Sequence, residues 1–585
     1  MTLHRLLVAA LACAALLVPA AVASADVAVF PSPGTPDVSA TTQVSFRGIA
    51  PSAIGPVTVT GSRSGAHTGH LAPHSDGFGA SFLLDKPLKA GETVTVHANL
   101  PITGASNGTF TWTVAHALPQ GGPLLPEFAG SPSEVLRFRS RPDLAPLRLA
   151  TKTTGTPQPG YLFFAPKVGP GQDGPSIYDN SGQPIWFHPL GNGDQAYDFR
   201  VQTYHGQPVL TWWQGHVYLT GTGVGEGKIV DSQYRTLATV KAGNGYSADL
   251  HEFQLTSRGT ALVTAYQPVQ ADDSSVRGGS KNGMVRDSIV QEIDIPTGLV
   301  LFEWHSLGHV ALSDSFFRPT KGIPWDYFHV NSAAEMPDGS LLVSARNIRA
   351  IYDIDRASGQ INWTLGGKRS SFKLPSDAVF SFQHDARPGP SGTITMFDNE
   401  GTPRIRKESR ALTLQLDLAN HTASIAGRQF TRSSPLLTAN QGSFQPLAGG
   451  GAFLGWGNHT PMTEFDANGH TVFEARMPSP DQTYRAFRLA WSAQPRTAPK
   501  ISVRSHAHGK GATVYVSWNG ATNVVTWNLL SGDSKTALHQ VLHTAKTGFE
   551  TALTLQTRPK YAAVQAVDAS GRVLATSATE RVPGS

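Results

Sequence analysis

The feature that most constrains the fold is a repeat, in which an acidic turn followed by a short apolar strand recurs six times. Successive copies begin 52, 63, 61, 62 and 49 residues apart. A period of this size leaves room for about four strands in each copy, which is typical of β-propellers rather than of solenoids or sandwiches. The repeat therefore predicts a six-bladed β-propeller, with each acidic turn forming the hairpin between the outer strands of one blade. The six turns begin at Asp179, Asp231, Asp294, Asp355, Asp417 and Asp466.

The composition favours an all-β chain. Among 585 residues there are 59 glycines and 41 prolines, and only 15% of the residues are charged. That balance favours short strands and turns over long amphipathic helices. The formal net charge of +5 is spread thinly, without the lysine or arginine run that indicates nucleic-acid or anionic-membrane binding. We therefore expect small-molecule partners and no nucleic acid.

Two shorter modules flank the repeat. Residues 26–118 and 497–585 contain alternating apolar and polar segments separated by clusters of proline, glycine, serine and asparagine. This pattern predicts an immunoglobulin-like β-sandwich at the N-terminal end and a fibronectin-III-like β-sandwich at the C-terminal end. Residues 119–146 form a linker, and the propeller is expected over residues 147–496. Neither flanking module contains a recognisable catalytic constellation.

The first 25 residues have the pattern of a secretory signal peptide. Arg5 precedes an apolar run that ends in small residues, and the mature chain is expected to begin at Asp26. The run is shorter than the roughly 20 residues needed to span a bilayer. The prediction is a secreted, extracellular or cell-envelope protein with no integral membrane segment after cleavage. The single cysteine, Cys13, lies within this leader, so the mature chain would have no thiol chemistry and no disulfide.

A second pattern runs through the same repeat. In five copies a polar residue stands about eight to ten residues before a glycine and an apolar strand. In a propeller, these equivalent positions fall near the inner strands, whose ends line the central channel. Residues far apart in the sequence are therefore expected to meet there. The positions are Asp198, His251, His329, His384 and Gln441.

The three histidines of this pattern are candidates for a functional site, although a lone histidine at a strand end is usually structural. If a strand begins there, His329 and Asn331 point the same way, whereas Glu252 and Asp385 point away from the channel. Three neutral imidazoles suit a metal ion, but the chain has no HExxH motif and no glutamate at a spacing that completes such a site. Imidazoles, the amide of Asn331 and Arg346 also suit a tetrahedral oxyanion such as sulfate or phosphate.

Several long motifs resemble one known family. They include HEFQLTSRGTALVTAYQPV, WDYFHVNSAAEMPDGSLLVSAR, IYDIDRASGQINWTLGGK, FQHDARP and QGSFQPLAGGGAFLGWG. Together these motifs, which extend over most of residues 160 to 495, resemble the arylsulfotransferase family. Its bacterial members move a sulfuryl group from a phenolic sulfate ester to a phenol without a nucleotide sulfate donor.

The resemblance implies a role for each candidate residue. His384 matches the histidine that is transiently sulfated. His329 and Asn331 match the pair that holds the sulfuryl oxygens, His251 matches another histidine of the site, and Arg346 matches the arginine that binds the anion. The implied reaction is ping-pong transfer through a sulfohistidine intermediate, with a phenolic sulfate donor, a phenol acceptor, no cofactor and no metal.

Two other functions are compatible with the residues alone. One is a metal-dependent propeller hydrolase or lactonase that uses the histidine cluster, and the other is a propeller that binds a ligand without catalysis. Four aromatic residues near the candidate site could stack on an aryl ring or pack within the blades. They are Trp325, Tyr327, Phe328 and Phe382.

Overall fold

The computed structural model describes residues 26–401, 404–506 and 511–584, so the predicted signal peptide lies outside the described residues. The described chain is all-β, with forty-one strands. No helix in these ranges is long and apolar enough to cross a membrane. The helical segments of the described residues are single turns of 3₁₀ helix at Pro51–Ala53, Pro132–Glu134, Leu312–Asp314, Pro390–Gly392 and Ala448–Gly450.

The N-terminal residues form two antiparallel sheets around a shared core. The strands are β1 (Ala28–Phe30), β2 (Val44–Arg47), β3 (Val57–Gly61), β4 (Gly65–His67), β5 (Gly69–Pro73), β6 (Gly79–Leu84), β7 (Thr93–Ala98) and β8 (Thr109–Thr113). One sheet has the order β1-β2-β6-β5 and the other β4-β3-β7-β8. Alternate residues point inwards, so that Phe46 and Phe82 of the first sheet meet Val96 and Trp112 of the second.

The described residues between 150 and 489 form six antiparallel sheets, five with four strands and one with five. Five of the six consist mainly of consecutive strands, as a meander of short apolar segments and tight turns requires. The strands are β9 (Ala150–Thr153), β10 (Tyr161–Phe164), β11 (Ser176–Tyr178), β12 (Pro184–Phe187), β13 (Gln195–Tyr204), β14 (Gln207–Val217), β15 (Gly223–Val230), β16 (Thr236–Val240), β17 (Asp249–Leu255), β18 (Ala261–Ala271), β19 (Gly283–Ile293), β20 (Val300–His305), β21 (Val330–Glu335), β22 (Leu341–Ala345), β23 (Ala350–Ile354), β24 (Ile361–Gly366), β25 (His384–Pro388), β26 (Thr393–Asp398), β27 (Arg410–Asp417), β28 (Thr422–Ile425), β29 (Ser443–Pro446), β30 (Ala452–Gly455), β31 (Pro461–Phe465), β32 (Thr471–Arg476) and β33 (Ala486–Leu489).

The two ends of this region are joined by strand pairing. Strand β33, the last of the set, pairs with β10 so that the first sheet has the order β12-β11-β10-β33. Strand β9, the first of the set, pairs with β32 and completes the sixth sheet. Both seams are antiparallel ladders of four residue pairs. The beginning and the end of the repeat are therefore held together by backbone hydrogen bonds.

Each of the six acidic turns lies between the last two consecutive strands of its sheet, as the repeat predicted. The aspartate side chain forms the turn by accepting hydrogen bonds from backbone N–H groups that follow it. Asp179, Asp231 and Asp466 each accept from the residues two and four positions later, at 2.8–3.0 Å. This local chemistry explains why the turns are visible in the sequence.

The C-terminal residues form two further sheets. Their strands are β34 (Lys500–Ser505), β35 (Ala512–Ser517), β36 (Thr526–Ser534), β37 (Ala537–Ala545), β38 (Glu550–Leu555), β39 (Tyr561–Val567), β40 (Val573–Thr576) and β41 (Glu580–Arg581). One sheet has the order β34-β35-β38, and the other has the order β37-β36-β39-β40 with β41 beside β39. Val514 and Leu553 of the first pack with Trp527 and Val564 of the second in one core.

Candidate active site

The candidate residues lie where the strand ladders are interrupted. The pairing of β13 with β14 skips Asp198, that of β17 with β18 skips His251, and that of β21 with β22 skips Asn331. In β25 the ladder breaks directly after His384. An interruption of this kind bends the strand and gives the unpaired residue a new direction. The backbone itself therefore turns these side chains out of the regular pleat.

The structure brings the three predicted histidines together around Tyr484. The rings of His251 and His329 lie edge to face, with centroids 4.8 Å apart. The Tyr484 ring lies 5.7 Å from that of His251 and 6.4 Å from that of His384. The three histidines come from three different sheets, and their exposed fractions are only 3%, 0% and 1% for His251, His329 and His384.

The hydrogen bonds of His384 determine its tautomer. Nδ1 faces two acceptors, the carbonyl of Phe382 at 3.0 Å and Oδ1 of Asn399 at 2.7 Å, so Nδ1 carries the proton. The Asn399 amide is itself oriented, because its Nδ2 donates to the carbonyls of Thr438 and Gln441. Nε2 therefore holds the lone pair, and it accepts a 3.2 Å hydrogen bond from the backbone N–H of Gln441.

Burial keeps the imidazoles of His384 and His329 neutral. Burial lowers the pKa of His384 well below its usual value, and the positive charge of Arg346 lowers it further, while the hydrogen bond to Asn399 opposes the shift. The pKa of His329 falls to about 3, first because of burial and then because of Arg346, with Asp326 acting in the opposite direction. Both rings are therefore unprotonated bases at neutral pH.

Two carboxylates orient the other histidines. Asp249 accepts a hydrogen bond from Nδ1 of His251, and Asp326 accepts one from Nδ1 of His329. The Nε2 atom of His329 is buried and has no hydrogen-bond partner among the described residues. Neither carboxylate was singled out from the sequence, although Asp-Leu-His and Asp-Tyr-Phe-His place them two and three residues before their histidines. The short spacing is the signal that could have identified them.

Arg346 stands beside the histidines without a carboxylate partner. Its backbone N–H donates to the carbonyl of His329 at 3.0 Å, and its Nε donates to Oδ1 of Asn347 at 3.1 Å. The guanidinium carbon lies 4.4 Å from the ring centroid of Phe382. Within the described part of the chain, Arg346 forms no salt bridge with Asp or Glu. A half-buried cation of this kind is suited to an anionic ligand.

Asn331 lies in the same neighbourhood, but regular strand alternation does not relate it to His329. His329 precedes β21 in a left-handed conformation with φ of 59°, and Asn331 sits at the ladder interruption. Asn331 donates from Nδ2 to the carbonyl of Gln383 at 2.7 Å. Its Oδ1 is buried without a hydrogen-bond partner among the described residues. The spatial relationship follows from the irregular backbone and not from the pleat.

The four aromatic candidates divide into two groups. Trp325, Tyr327 and Phe328 are buried in the hydrophobic core, with exposed fractions of 5%, 0% and 0%. Phe382 lies below Arg346 and contacts Phe317 at a centroid distance of 5.8 Å. Only Phe382 of this group therefore lies directly against a candidate site residue.

A network of buried charges supports the histidine cluster. Arg485 is fully buried and forms ion pairs with Asp198 at 2.7 Å and with Glu252 and Asp385 at 3.2 Å. Its guanidinium also donates to the carbonyls of His251 and Asn331. Glu252 and Asp385 thus hold Arg485 and the strands, while their neighbours His251 and His384 form the site. Because the partners come from separate sheets, the network connects the sheets beneath the site.

Tyr484 and Asn399 were missed by reasoning from the sequence. Tyr484 stands two residues before β33, which is the same offset that Gln441 has before β29 in the preceding sheet. Tyr484 was missed because β33 closes a sheet whose other strands lie more than 300 residues earlier, so the local pattern of the repeat is absent. Asn399 follows β26 directly, and nothing in its local sequence indicates that it faces His384.

Within residues 26–401, 404–506 and 511–584, no group of three or more His, Cys, Asp or Glu side chains has a geometry that could hold a metal ion. The histidine rings are instead bonded through Nδ1 to Asp249, Asp326 and Asn399.

Several solved structures show a distant likeness to this chain. A protein of unknown function from Bacteroides caccae is 15% identical, with a TM-score of 0.35, over 56% of this chain and 98% of its own. A catalytically inactive virginiamycin B lyase from Staphylococcus aureus with quinupristin is 9% identical, with a TM-score of 0.28, over 64% and 97%. A protein from Lactobacillus plantarum is 12% identical, with a TM-score of 0.28, over 68% and 99%.

Comparison of the sequence with models of protein families points to one family. No curated protein matches the chain at a significant level. The model of the family described as Arylsulfotransferase (ASST) matches residues 200–478, a span that contains all five predicted site residues. This match supports aryl sulfotransferase activity at the level of the family. Over that span, the chain matches the arylsulfotransferase family, which supports its membership of that family.

Proposed function

We propose that this protein transfers a sulfuryl group from a phenolic sulfate ester to a phenol acceptor, with His384 as the nucleophile. The observation that carries the proposal is the tautomer of His384, because Asn399 holds the proton on Nδ1 and leaves the Nε2 lone pair available. The buried imidazole is neutral, and Arg346 is available beside it to bind an anion. A neutral imidazole next to an anion-binding cation is the arrangement that nucleophilic sulfuryl transfer requires.

We further propose that the six central sheets are the blades of a β-propeller. The two seams between β9 and β32 and between β10 and β33 support a closed ring, and the interrupted inner strands would then face one channel. The shared cores of the two flanking pairs of sheets support a β-sandwich at each end. The proposed limits are residues 26–118, 147–496 and 497–585, with a linker at 119–146.

In the first step, Nε2 of His384 attacks sulfur. The N–S bond forms as the S–O bond to the aryl group breaks, and the electron pair of that bond leaves on the phenolate oxygen. Because Nδ1 keeps its proton, the product is an N-sulfo imidazolium whose positive charge is stabilised by Oδ1 of Asn399. The acceptor phenol then gives its proton to His329 and attacks the same sulfur. The new O–S bond forms as the N–S bond breaks and its electron pair returns to Nε2, so one difficult transfer is divided into two easier steps.

The other residues have complementary roles in this proposal. Arg346 and Nδ2 of Asn331 donate to the sulfuryl oxygens, and loss of one such donor typically costs about 10²-fold or more in rate. His329 is assigned the role of base towards the acceptor phenol, because its depressed pKa leaves Nε2 unprotonated. His251, which is bonded to Asp249, exchanges a proton with the phenolic oxygens, and Phe382 supports the aryl ring.

The decisive experiment is intact-mass analysis after brief mixing with 4-nitrophenyl sulfate at neutral to alkaline pH, since N-sulfo adducts are acid-labile. We expect a gain of about 80 Da on the wild type, its removal by added phenol, and no gain on His384→Ala. His543→Ala is the matched control, because His543 is an exposed histidine of the C-terminal sheets and should leave the adduct unchanged.

Three outcomes would contradict the proposal. An adduct that persists in His384→Ala would refute this nucleophile. Absence of any adduct and of phenol-dependent nitrophenol release across several donors would refute sulfuryl transfer. Activity that is abolished by a chelator and restored by a metal would instead support the hydrolase alternative.

The site of action is part of the same proposal. We propose that residues 1–25 direct export, so that the mature chain works outside the cytoplasm or in the cell envelope. N-terminal sequencing of the protein recovered from the culture medium or envelope is expected to begin at Asp26. An uncleaved chain that remains in the cytoplasm would contradict this proposal.

A further inference from the structure

Lys167 is a buried lysine with no ion-pair partner in the described chain. It follows β10, and its exposed fraction is 1%. Its Nζ donates to the hydroxyl of Tyr197 at 2.6 Å and to Oε1 of Gln441 at 2.7 Å, but it forms no salt bridge with a described Asp or Glu. Burial lowers its pKa well below the usual value. Burying an amine without a carboxylate is costly, so the hydrogen bonds it makes require an explanation.

The bond to Gln441 leads directly to the nucleophile. The side chain of Gln441 is oriented by Nε2, which donates to Asn440 and to Gln482 at 3.0 Å, so that Oε1 faces Lys167. The backbone of Gln441 is in a left-handed conformation with φ of 63°, and the Gln441 N–H donates to Nε2 of His384 at 3.2 Å. Lys167 thus anchors the side chain of Gln441, whose backbone N–H bonds to the lone pair on Nε2 of His384.

The carbonyl of the same residue is anchored as well. The carbonyl of Gln441 accepts a 2.8 Å hydrogen bond from Nδ2 of Asn399, whose Oδ1 holds Nδ1 of His384. Gln441 is therefore fixed at its side chain by Lys167 and at its carbonyl by Asn399. The N–H between these two anchors has little freedom to move away from His384.

We propose that Lys167 is a positioning residue for sulfuryl transfer, acting through Gln441 on Nε2 of His384. This inference rests on the function proposed above. As the Nε2–S bond forms, the lone pair is used and the S–O electron pair leaves with the phenolate. The Gln441 N–H can then no longer bond to Nε2 and is left beside the sulfuryl oxygens, where it donates to the charge that develops there.

The role of Lys167 in this arrangement does not depend on a positive charge. A neutral amine still has N–H donors for Oε1 of Gln441, so the anchor does not require the proton that burial disfavours. The charges of Asp173 and Asp481 oppose the lowering of the Lys167 pKa, but neither carboxylate forms a salt bridge with Nζ. The contribution is geometric, because the lysine fixes a donor that the reacting sulfuryl group would meet.

The test compares the rate of formation of the adduct of about 80 Da on His384 in a set of variants. Lys167→Met keeps the length of the side chain and removes the donor, and Gln441→Leu removes its acceptor. We expect each variant to lower the rate about 10- to 10²-fold, with the donor KM changed by less than about twofold. Because the two residues act in series, the double variant should lose no more than the worse single variant.

Lys546→Met is the matched control. Lys546 is a half-buried lysine of the C-terminal sheets, where its Nζ donates to the carbonyl of Ala521 at 3.4 Å. This variant should form the adduct at the rate of the wild type. If Lys167 merely filled space, Lys167→Met would also form the adduct at the rate of the wild type. Its loss would then alter the melting temperature but not the rate of sulfation.

The possible results separate the two proposals. A wild type that forms the adduct, together with a Lys167→Met rate within twofold of it, overturns the positioning role and leaves sulfuryl transfer intact. Additive losses in the double variant overturn the path through Gln441. A wild type that forms no adduct overturns the proposed function and this inference with it. If Lys167→Met does not fold, an unchanged rate in Gln441→Leu overturns the inference, and the expected loss supports it.

Discussion

Oδ1 of Asn399 lies 2.7 Å from Nδ1 of His384, and this bond determines which imidazole nitrogen carries the proton. We expect Asn399→Ala to lower the sulfuryl transfer rate about 10²-fold or more, because the wrong tautomer and an unsupported imidazolium both oppose attack. Asn399→Asp, which retains an acceptor for Nδ1, should retain more activity than the alanine variant. Turnover of 4-nitrophenyl sulfate in the presence of phenol measures the activities of both variants. Equal activity of all three proteins would contradict the assignment.

Arg346 is expected to bind the transferring group and not to stabilise the fold, since it forms no salt bridge among the described residues. Arg346→Gln should lower kcat/KM about 10²- to 10³-fold, with the melting temperature little changed, because a charged donor to the sulfuryl oxygens is lost. Arg369→Gln is the control, as Arg369 is exposed and pairs only with Asp314. Similar losses in both variants would point to a general electrostatic effect.

His329 makes stability depend on pH in a defined direction. Its pKa is about 3 in the fold against an ordinary value of 6.5, so between these values the unfolded chain binds a proton that the native protein does not. The free energy of unfolding therefore falls as the pH falls below 6.5, by about 1.4 kcal/mol per pH unit for one such group. Urea titrations at pH 7, 6 and 5 should show a shallower dependence for His329→Gln, and the same slope for His543→Gln as for the wild type.

Arg485 is expected to be the most sensitive position of the buried charge network. Arg485→Met would leave Asp198, Glu252 and Asp385 without their central cation, and removing one partner of a buried ion pair typically costs about 3–5 kcal/mol. Arg572→Met is the control, because Arg572 is exposed and its pair with Asp568 is screened by solvent, so its loss should change the stability little. Urea unfolding of both variants measures the difference, and equal losses would refute a special role for the network.

The parts of the fold that the sequence predicts are those with local causes. The turn at Asp179 is formed by its own carboxylate, so the motif and the structure coincide. His251, His329 and His384 could be grouped because the repeat gives them equivalent positions. Tyr484 and Lys167 could not be placed at the site from the repeat. Strand β33 and the bridge between Lys167 and Gln482 join segments more than 300 residues apart.

The details of the candidate site also depend on backbone irregularities that sequence patterns do not show. Regular alternation was expected to align His329 with Asn331, whereas a left-handed residue and a ladder interruption set their directions. The hydrogen-bond partners of His384 come from separate loops, so its tautomer is visible only in the assembled fold. Residue types and approximate positions were thus predictable, but protonation and orientation were not.

The seam between β10 and β33 has a consequence for the order in which the candidate site is assembled. Tyr484 and Arg485, which stand at the centre of the site, belong to the last segment of the repeat to leave the ribosome or an export channel. The histidines emerge earlier, but they remain without their central tyrosine and arginine until that segment returns to the first sheet. Long-range pairing of this kind is slow to form. A nascent chain therefore lacks a complete candidate site, and the site is assembled only when the last segment of the repeat pairs with its first sheet.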